Sequence, residues 1–130
     1  MAAEPAGSGE QHLDPTALSR LASELESEQL ARSIAGTYLR MLDVRLARAA
    51  SALADRDEVA AMDVLLSLRV SSATVGLVGL EAAALQVIDA VRRGEADLAR
   101  ERGSWMLGLA DRARSALRSH LERPGLTVVT

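Results

Sequence analysis

The chain has 130 residues, of which 48% are hydrophobic, 25% are charged and 2% are aromatic, with a net charge of -3 and no cysteine. The lack of cysteine excludes disulfides, thiolate metal sites and cysteine nucleophiles, and the slight acidity argues against nucleic acid or an anionic membrane as a partner. Because sheet-forming residues are scarce and Ala, Leu and Val dominate, we expect one all-α domain.

Residues 1–12 contain mostly Ala, Gly, Ser, Glu and Pro after the first Met. They offer no large apolar side chain to anchor them, so we predict a disordered leader. The chain has neither the basic-then-apolar layout of a signal peptide nor a stretch of about 18 apolar residues. We therefore expect a cytoplasmic protein.

Two helices are predicted in the first half of the domain. Asp14 is a typical capping residue and Pro15 suits the first position of a short leading helix, which ends near Glu26. A longer helix is predicted over residues 27–54, because apolar residues recur in it at steps of three and four. Its predicted buried stripe consists of Leu30, Ile34, Tyr38, Leu42, Leu46, Ala49 and Leu53.

Three more helices are predicted over residues 57–72, 77–93 and 95–123. A polar corner of small residues at 71–76 ends the first of these, and Gly94 ends the second. Pro124 ends the last, whose predicted buried side includes Trp105, and residues 124–130 form a tail. Four long helices with short connections predict an antiparallel up-and-down four-helix bundle over residues 13–123, with a short leading N-terminal helix.

The helix predicted over residues 57–72 has two apolar faces. At 100° per residue, one face is an ordinary core stripe of Ala61, Val64, Leu65, Leu68, Ser71 and Ser72. The opposite face carries Val59, Met62, Leu66 and Val70, flanked by Asp63 and Arg69. Either this helix is buried on all sides, or its second face is a surface for a protein partner or for self-association.

The segment Leu66-Ser67-Leu68-Arg69-Val70-Ser71-Ser72, followed by Gly76, resembles the motif His-x-Leu-Lys-Gly-Ser-Ser of the histidine-containing phosphotransfer (HPt) family. The resemblance extends over about residues 13–123 and implies a four-helix bundle in bacterial phosphorelay signalling. In that family the exposed His takes a phosphoryl group from an aspartate of a receiver domain. Leu66 occupies the position of this His and cannot accept phosphate.

The resemblance therefore implies a pseudo-phosphotransfer module rather than an enzyme, with no catalytic residue, metal or cofactor. Arg69 keeps the positive charge of the family's Lys, whereas Val70 puts apolar bulk in the place of its Gly. The expected partner is a response-regulator receiver domain or a histidine-kinase component. The predicted partner-binding residues are Val59, Met62, Asp63, Leu66, Ser67, Arg69 and Val70.

Two other interpretations stay open from the sequence. The same apolar stripe could pair with itself, giving a homodimer whose role is assembly or scaffolding. Alternatively, the chain could be an active phosphotransferase that uses another residue. His12 and His120 are the chain's two histidines and lie outside the motif, and no Gly-rich phosphate loop or metal-ligand spacing is present.

Overall fold

The computed structural model describes residues 13–123, which contain five helices and no strand. The helices are α1 (Ala17–Leu25), α2 (Glu28–Ala54), α3 (Glu58–Val75), α4 (Val78–Arg92) and α5 (Ala96–Glu122). The all-α prediction is confirmed for this part of the chain. The predicted leader, residues 1–12, and the predicted tail, residues 124–130, lie outside the described residues.

The chain enters α1 through a turn at Asp14. Its carboxylate accepts hydrogen bonds from the Thr16 backbone N–H at 3.0 Å and from the Thr16 hydroxyl at 2.8 Å. These bonds, together with a bond from Arg20, lower the pKa of Asp14. Pro15 and Thr16 therefore lie in the turn and α1 begins at Ala17, so the prediction that Pro15 opens the helix is wrong.

Side-chain caps begin α2 and α3. Ser27 Oγ accepts from the Leu30 N–H at 3.0 Å, and Asp57 Oδ1 accepts from the Ala60 N–H at 3.1 Å. These bonds satisfy backbone donors that have no partner within the first turn of a helix. The short segment at residues 55–57 reverses the chain between the two helices.

Helix α3 runs three residues beyond its predicted end and stops at Val75. The corner predicted at residues 71–76 does end the helix, but only at its last residue, Gly76, because the hydroxyls of Ser71 and Thr74 bond within the helix instead of breaking it. Ser71 Oγ donates to the Ser67 carbonyl at 2.6 Å, and Thr74 Oγ1 donates to the Val70 carbonyl at 3.0 Å.

The four long helices contact one another in sequence, and α5 also contacts α2. Helix α1 packs against α2 and α3. The core between them is apolar, and its largest fully buried side chains include Leu18, Leu42, Leu65, Leu68, Leu77, Leu80, Ile88, Met106 and Leu117. Within residues 13–123, no helix has both the length and the apolar character needed to cross a membrane.

The buried stripe of α2 differs from the predicted one at its N-terminal end. Leu30 is 52% exposed and Ile34 is also exposed, whereas the neighbouring Ala31 and Ala35 are fully buried. Helix α2 therefore carries two apolar rows offset by one residue, and at its N-terminal end the core takes the smaller side chains, which allow close helix packing. Trp105 was likewise predicted on a buried side, but it is half-exposed and the adjacent Met106 is buried in its place.

Candidate partner-binding groove

An open groove of about 710 Å³ lies between α2 and α3. Its walls are apolar on both sides, with Ile34 and Met41 on α2 and Leu66 and Val70 on α3. We call it the α2–α3 groove. It is lined by Ser33, Ile34, Thr37, Tyr38, Met41, Arg45, Asp63, Leu66, Ser67, Val70, Ser71, Thr74 and Val75.

Helix α3 has one buried and one exposed apolar face, so the interpretation that it is buried on all sides is wrong. The predicted core stripe is buried except for Ser71, which is partly exposed and lines the groove. Its buried members are Ala61, Val64, Leu65, Leu68 and Ser72. On the opposite face the exposed fractions are 82% for Val59, 36% for Leu66 and 60% for Val70. Because no helix in the described part of the chain packs over this face, its apolar side chains are available to a partner.

The structure brings together four of the seven predicted partner-binding residues. Asp63, Leu66, Ser67 and Val70 line the α2–α3 groove, whereas Val59, Met62 and Arg69 do not. Val59 lies in the first turn of α3 and is exposed.

Met62 and Arg69 lie on the side of α3 that faces away from α2. At 100° per residue they lie roughly opposite Ser67 and Ser71, and Ser71 bonds to α2. Met62 is partly buried and packs against the core, so it is less available than predicted. Arg69 is half-buried, and its Nε has no hydrogen-bond partner among the described residues.

The contribution of α2 to this groove was not predicted from the sequence. Ile34, Met41 and Arg45 belong to the α2 wall, which also includes Ser33, Thr37 and Tyr38. The sequence does contain a second periodic row on α2 from which this wall could have been predicted. The residues of this row are separated by alternating steps of four and three, as in the contact surfaces between packed helices. This row is Leu30, Ile34, Thr37, Met41, Val44 and Arg48.

Two side-chain hydrogen bonds tie α2 to α3 beneath the groove. The Tyr38 hydroxyl and Ser72 Oγ are 2.8 Å apart, and Ser72 is fully buried. Arg45 Nη1 donates to Ser71 Oγ at 3.1 Å. Because a buried polar group without a partner is costly, these bonds favour one register of the two helices and so fix the width of the groove.

Burial raises the pKa of Tyr38 to about 12, although the bond to Ser72 and the charges of Arg45 and Arg114 act in the opposite direction. A tyrosine whose folded pKa exceeds its usual value of 10.0 contributes stability that is fully present below pH 10. That contribution is lost as the pH rises from about 10 to about 12. At neutral pH the hydroxyl is therefore protonated and can donate to Ser72.

We expect the tyrosinate absorbance of the folded chain to appear with a midpoint well above the usual pKa of 10.0, in an alkaline titration. Tyr38 is the chain's one tyrosine, so the signal has a single origin. In denaturant the midpoint should fall to about 10. Tyr38→Phe should abolish the absorbance change, and a folded-state midpoint close to 10 would contradict the buried Tyr38–Ser72 pair.

Charge is distributed unevenly across the groove and its continuation towards the start of α3. The α2 wall is basic, with Arg45 and Arg48, whereas the α3 wall carries Asp63 and, in its first turn, Glu58. Neither Arg48 nor Asp63 is part of an ion pair within residues 13–123. Both charges are thus available to a molecule that covers the groove.

The side chains around Leu66 can form contacts but include no histidine. His120 lies in the last turn of α5, where burial, Arg123 and Arg32 lower its pKa, although a helix C-terminus alone would favour its charged form. His12 lies outside the described residues. Residues 13–123 also contain no group of three or more His, Asp or Glu side chains that could hold a metal ion.

No family model, curated protein or solved structure matches the chain.

Proposed function

We propose that the chain is an HPt-like protein of bacterial two-component phosphorelay signalling, acting in the cytoplasm as a pseudo-phosphotransfer module. It binds a response-regulator receiver domain, or a related histidine-kinase component, through the α2–α3 groove and accepts no phosphate. In this proposal the four long helices form an antiparallel up-and-down four-helix bundle. The succession of helix contacts, which returns from α5 to α2, supports that arrangement.

The position and exposure of Leu66 carry the proposal. The motif resemblance puts Leu66 where an HPt domain has its phospho-accepting His, and this side chain lies at the surface of the α2–α3 groove. A receiver domain that docks on an HPt domain must cover the reactive position. A leucine in that position keeps a contact surface and removes the nucleophile.

Val70 extends the same apolar surface by one helical turn from Leu66. Val70 is mostly exposed, so covering it would remove apolar area from water at a gain of about 25 cal/mol per Å². A side chain that only filled space in the fold would be buried. The exposed pair therefore supports binding without a covalent step.

The proposal is tested by titrating a panel of purified receiver domains, phosphorylated and unphosphorylated, against the wild-type chain and Leu66→Asp. We expect at least one receiver to bind, and Leu66→Asp to weaken its binding by tenfold or more, because the substitution puts a charge into an apolar contact. Calorimetry gives the Kd, and circular dichroism shows that the variant stays helical.

Leu107→Asp is the matched control, since Leu107 of α5 is 37% exposed, almost the same fraction as Leu66, and lies outside the groove. It should leave receiver binding unchanged. Three results would contradict the proposal: no receiver binds, both variants weaken binding equally, or a labelled phosphoryl group moves from a receiver to the chain.

A further inference from the structure

The α2–α3 face combines exposed apolar side chains from both helices with unpaired charges of opposite sign. Its α2 side carries the row Leu30, Ile34, Thr37, Met41, Val44 and Arg48, and its α3 side carries Val59, Asp63, Leu66 and Val70. A face of this composition can be complementary to itself. We propose that it pairs with the same face of a second copy of the chain, about a two-fold axis parallel to α2 and α3.

The register of α2 and α3 shows which residues would meet. The two helices run in opposite directions from the turn at residues 55–57, so height can be measured from their shared end. At 1.5 Å per residue, Arg48 and Asp63 lie about 8 to 9 Å from that end, and Met41 and Val70 lie about 18 to 20 Å from it. Each pair combines one residue of α2 with one of α3 at the same height.

Rotation about a two-fold axis parallel to the helices leaves the height of each residue along that axis unchanged. It puts the α2 side of one copy against the α3 side of the other. Helix α2 of one copy then lies opposite α3 of the other. Arg48 meets Asp63 of the second copy, and Met41 meets Val70 of the second copy, and both contacts occur twice. The ionic contact joins two groups that have no ion-pair partner within residues 13–123 of one chain.

A second two-fold arrangement of this face has its axis perpendicular to the helices, which puts α2 against α2 in reversed direction. When that axis crosses α2 near residues 42 and 43, Arg45 lies near Arg40 of the second copy. Basic side chains would then face one another. Asp63 would lie opposite the C-terminal end of α3, which carries serine and threonine hydroxyls instead of basic groups. Like charges in contact oppose association, whereas the parallel arrangement joins Arg48 to Asp63, and for this reason we propose the parallel one.

The size of the face indicates a weak, reversible dimer. Helix α3 is about 27 Å long, and two packed helices present a surface about 20 Å wide, which gives on the order of 500 Å² per copy. The total of about 1,000 Å² lies at the lower limit for a specific interface, where transient complexes are found.

Dimer formation would cover Leu66, so self-association and binding of any partner at the α2–α3 groove exclude each other.

The test is the molar mass of the purified chain, measured by light scattering behind size-exclusion chromatography over a concentration series. We expect the mass to rise with concentration from 13.8 kDa towards twice that value. Arg48→Glu and Asp63→Arg should each hold the chain at the monomer mass, because each puts like charges together at two contacts. The double variant with both substitutions should dimerise again.

Arg112→Glu is the matched control, since Arg112 is an exposed arginine on α5 outside the groove, and it should dimerise like the wild type. Orientation is read by mixing Met41→Cys chains with Val70→Cys chains under oxidation, in a protein that has no other cysteine. The expected product is the mixed disulfide dimer.

A monomer at every concentration overturns the proposal, as does a charge variant that dimerises like the wild type. Failure of the double variant to dimerise, or a predominance of Met41→Cys pairs with themselves, contradicts the parallel arrangement. No receiver domain is present in these experiments, so their outcome is separate from that of the binding titration.

Discussion

Gly76→Ala is expected to destabilise the chain by about 3 kcal/mol, one of the largest effects of any single methyl group in the structure. Gly76 ends α3 with φ +86°, a conformation that costs a residue with a Cβ roughly 1 to 2 kcal/mol. A Cβ at this position would also lie 2.6 Å from the Asp14 carbonyl oxygen and 2.7 Å from Ala17 Cβ. Backbone at the entry to α1 would have to move to relieve these contacts.

The same movement would also break a backbone hydrogen bond. The Asp14 backbone N–H donates to the Gly76 carbonyl at 2.6 Å and so joins the start of α1 to the corner between α3 and α4. Gly108→Ala is the control, because nothing lies within 4 Å of its Cβ position in the middle of α5. It should stabilise the chain by up to about 1 kcal/mol, as expected for Gly to Ala within a helix. Chemical denaturation measures both changes, and a loss of less than 1 kcal/mol for Gly76→Ala would contradict the packed corner.

Periodicity predicted the existence of all five helices, because each helix carries a buried row at steps of three and four residues. The starts of α2 and α3 were predicted to within one residue, and in the structure Ser27 and Asp57 accept hydrogen bonds from the first turns of these helices. The ends were harder to predict. Ser71 looked like part of a break, and only the contacts show that its hydroxyl bonds to a carbonyl of its own helix.

The groove was predicted only on its α3 side, and the reason is physical. In α2, the row through Leu30 and Ile34 and the row through Ala31 and Ala35 have the same spacing and are offset by one residue. Periodicity cannot tell which row is buried, and residue size favoured the wrong one. The choice depends on how closely the neighbouring helices approach, and Ala allows the closer approach. Burial of Ala31 and Ala35 then leaves Leu30 and Ile34 at the surface.

Arg69 illustrates a different limit of sequence reasoning. A helical wheel puts it beside Leu66, and the motif resemblance assigns it the position of a functional Lys. In the structure its side chain is half-buried on the side of α3 away from α2, whereas Arg45 of α2 lies in the groove. The arginine that lines the groove therefore belongs to the neighbouring helix, and no local pattern in α3 could have shown this.

Leu68→Ala and Leu66→Ala, two residues apart on α3, should differ in their cost to stability by about 1 to 5 kcal/mol. Leu68 is fully buried, so removal of its side chain leaves a cavity and should cost about 2 to 5 kcal/mol. Leu66 is 36% exposed at the edge of the groove, where solvent can fill the space, and its truncation should cost about 1 kcal/mol or less. Denaturation of the monomer, at concentrations low enough to prevent self-association, gives both values.

The difference between the two stability losses shows whether Leu66 is a core residue or a surface residue. If Leu66→Ala costs as much as Leu68→Ala, then Leu66 belongs to the core, and its apolar character needs no partner to explain it. A small loss of stability for Leu66→Ala means that the fold does not require a leucine at this position, which faces water in the free monomer. Leu66 is then a surface residue of the α2–α3 groove, and its side chain is available for contact with another molecule.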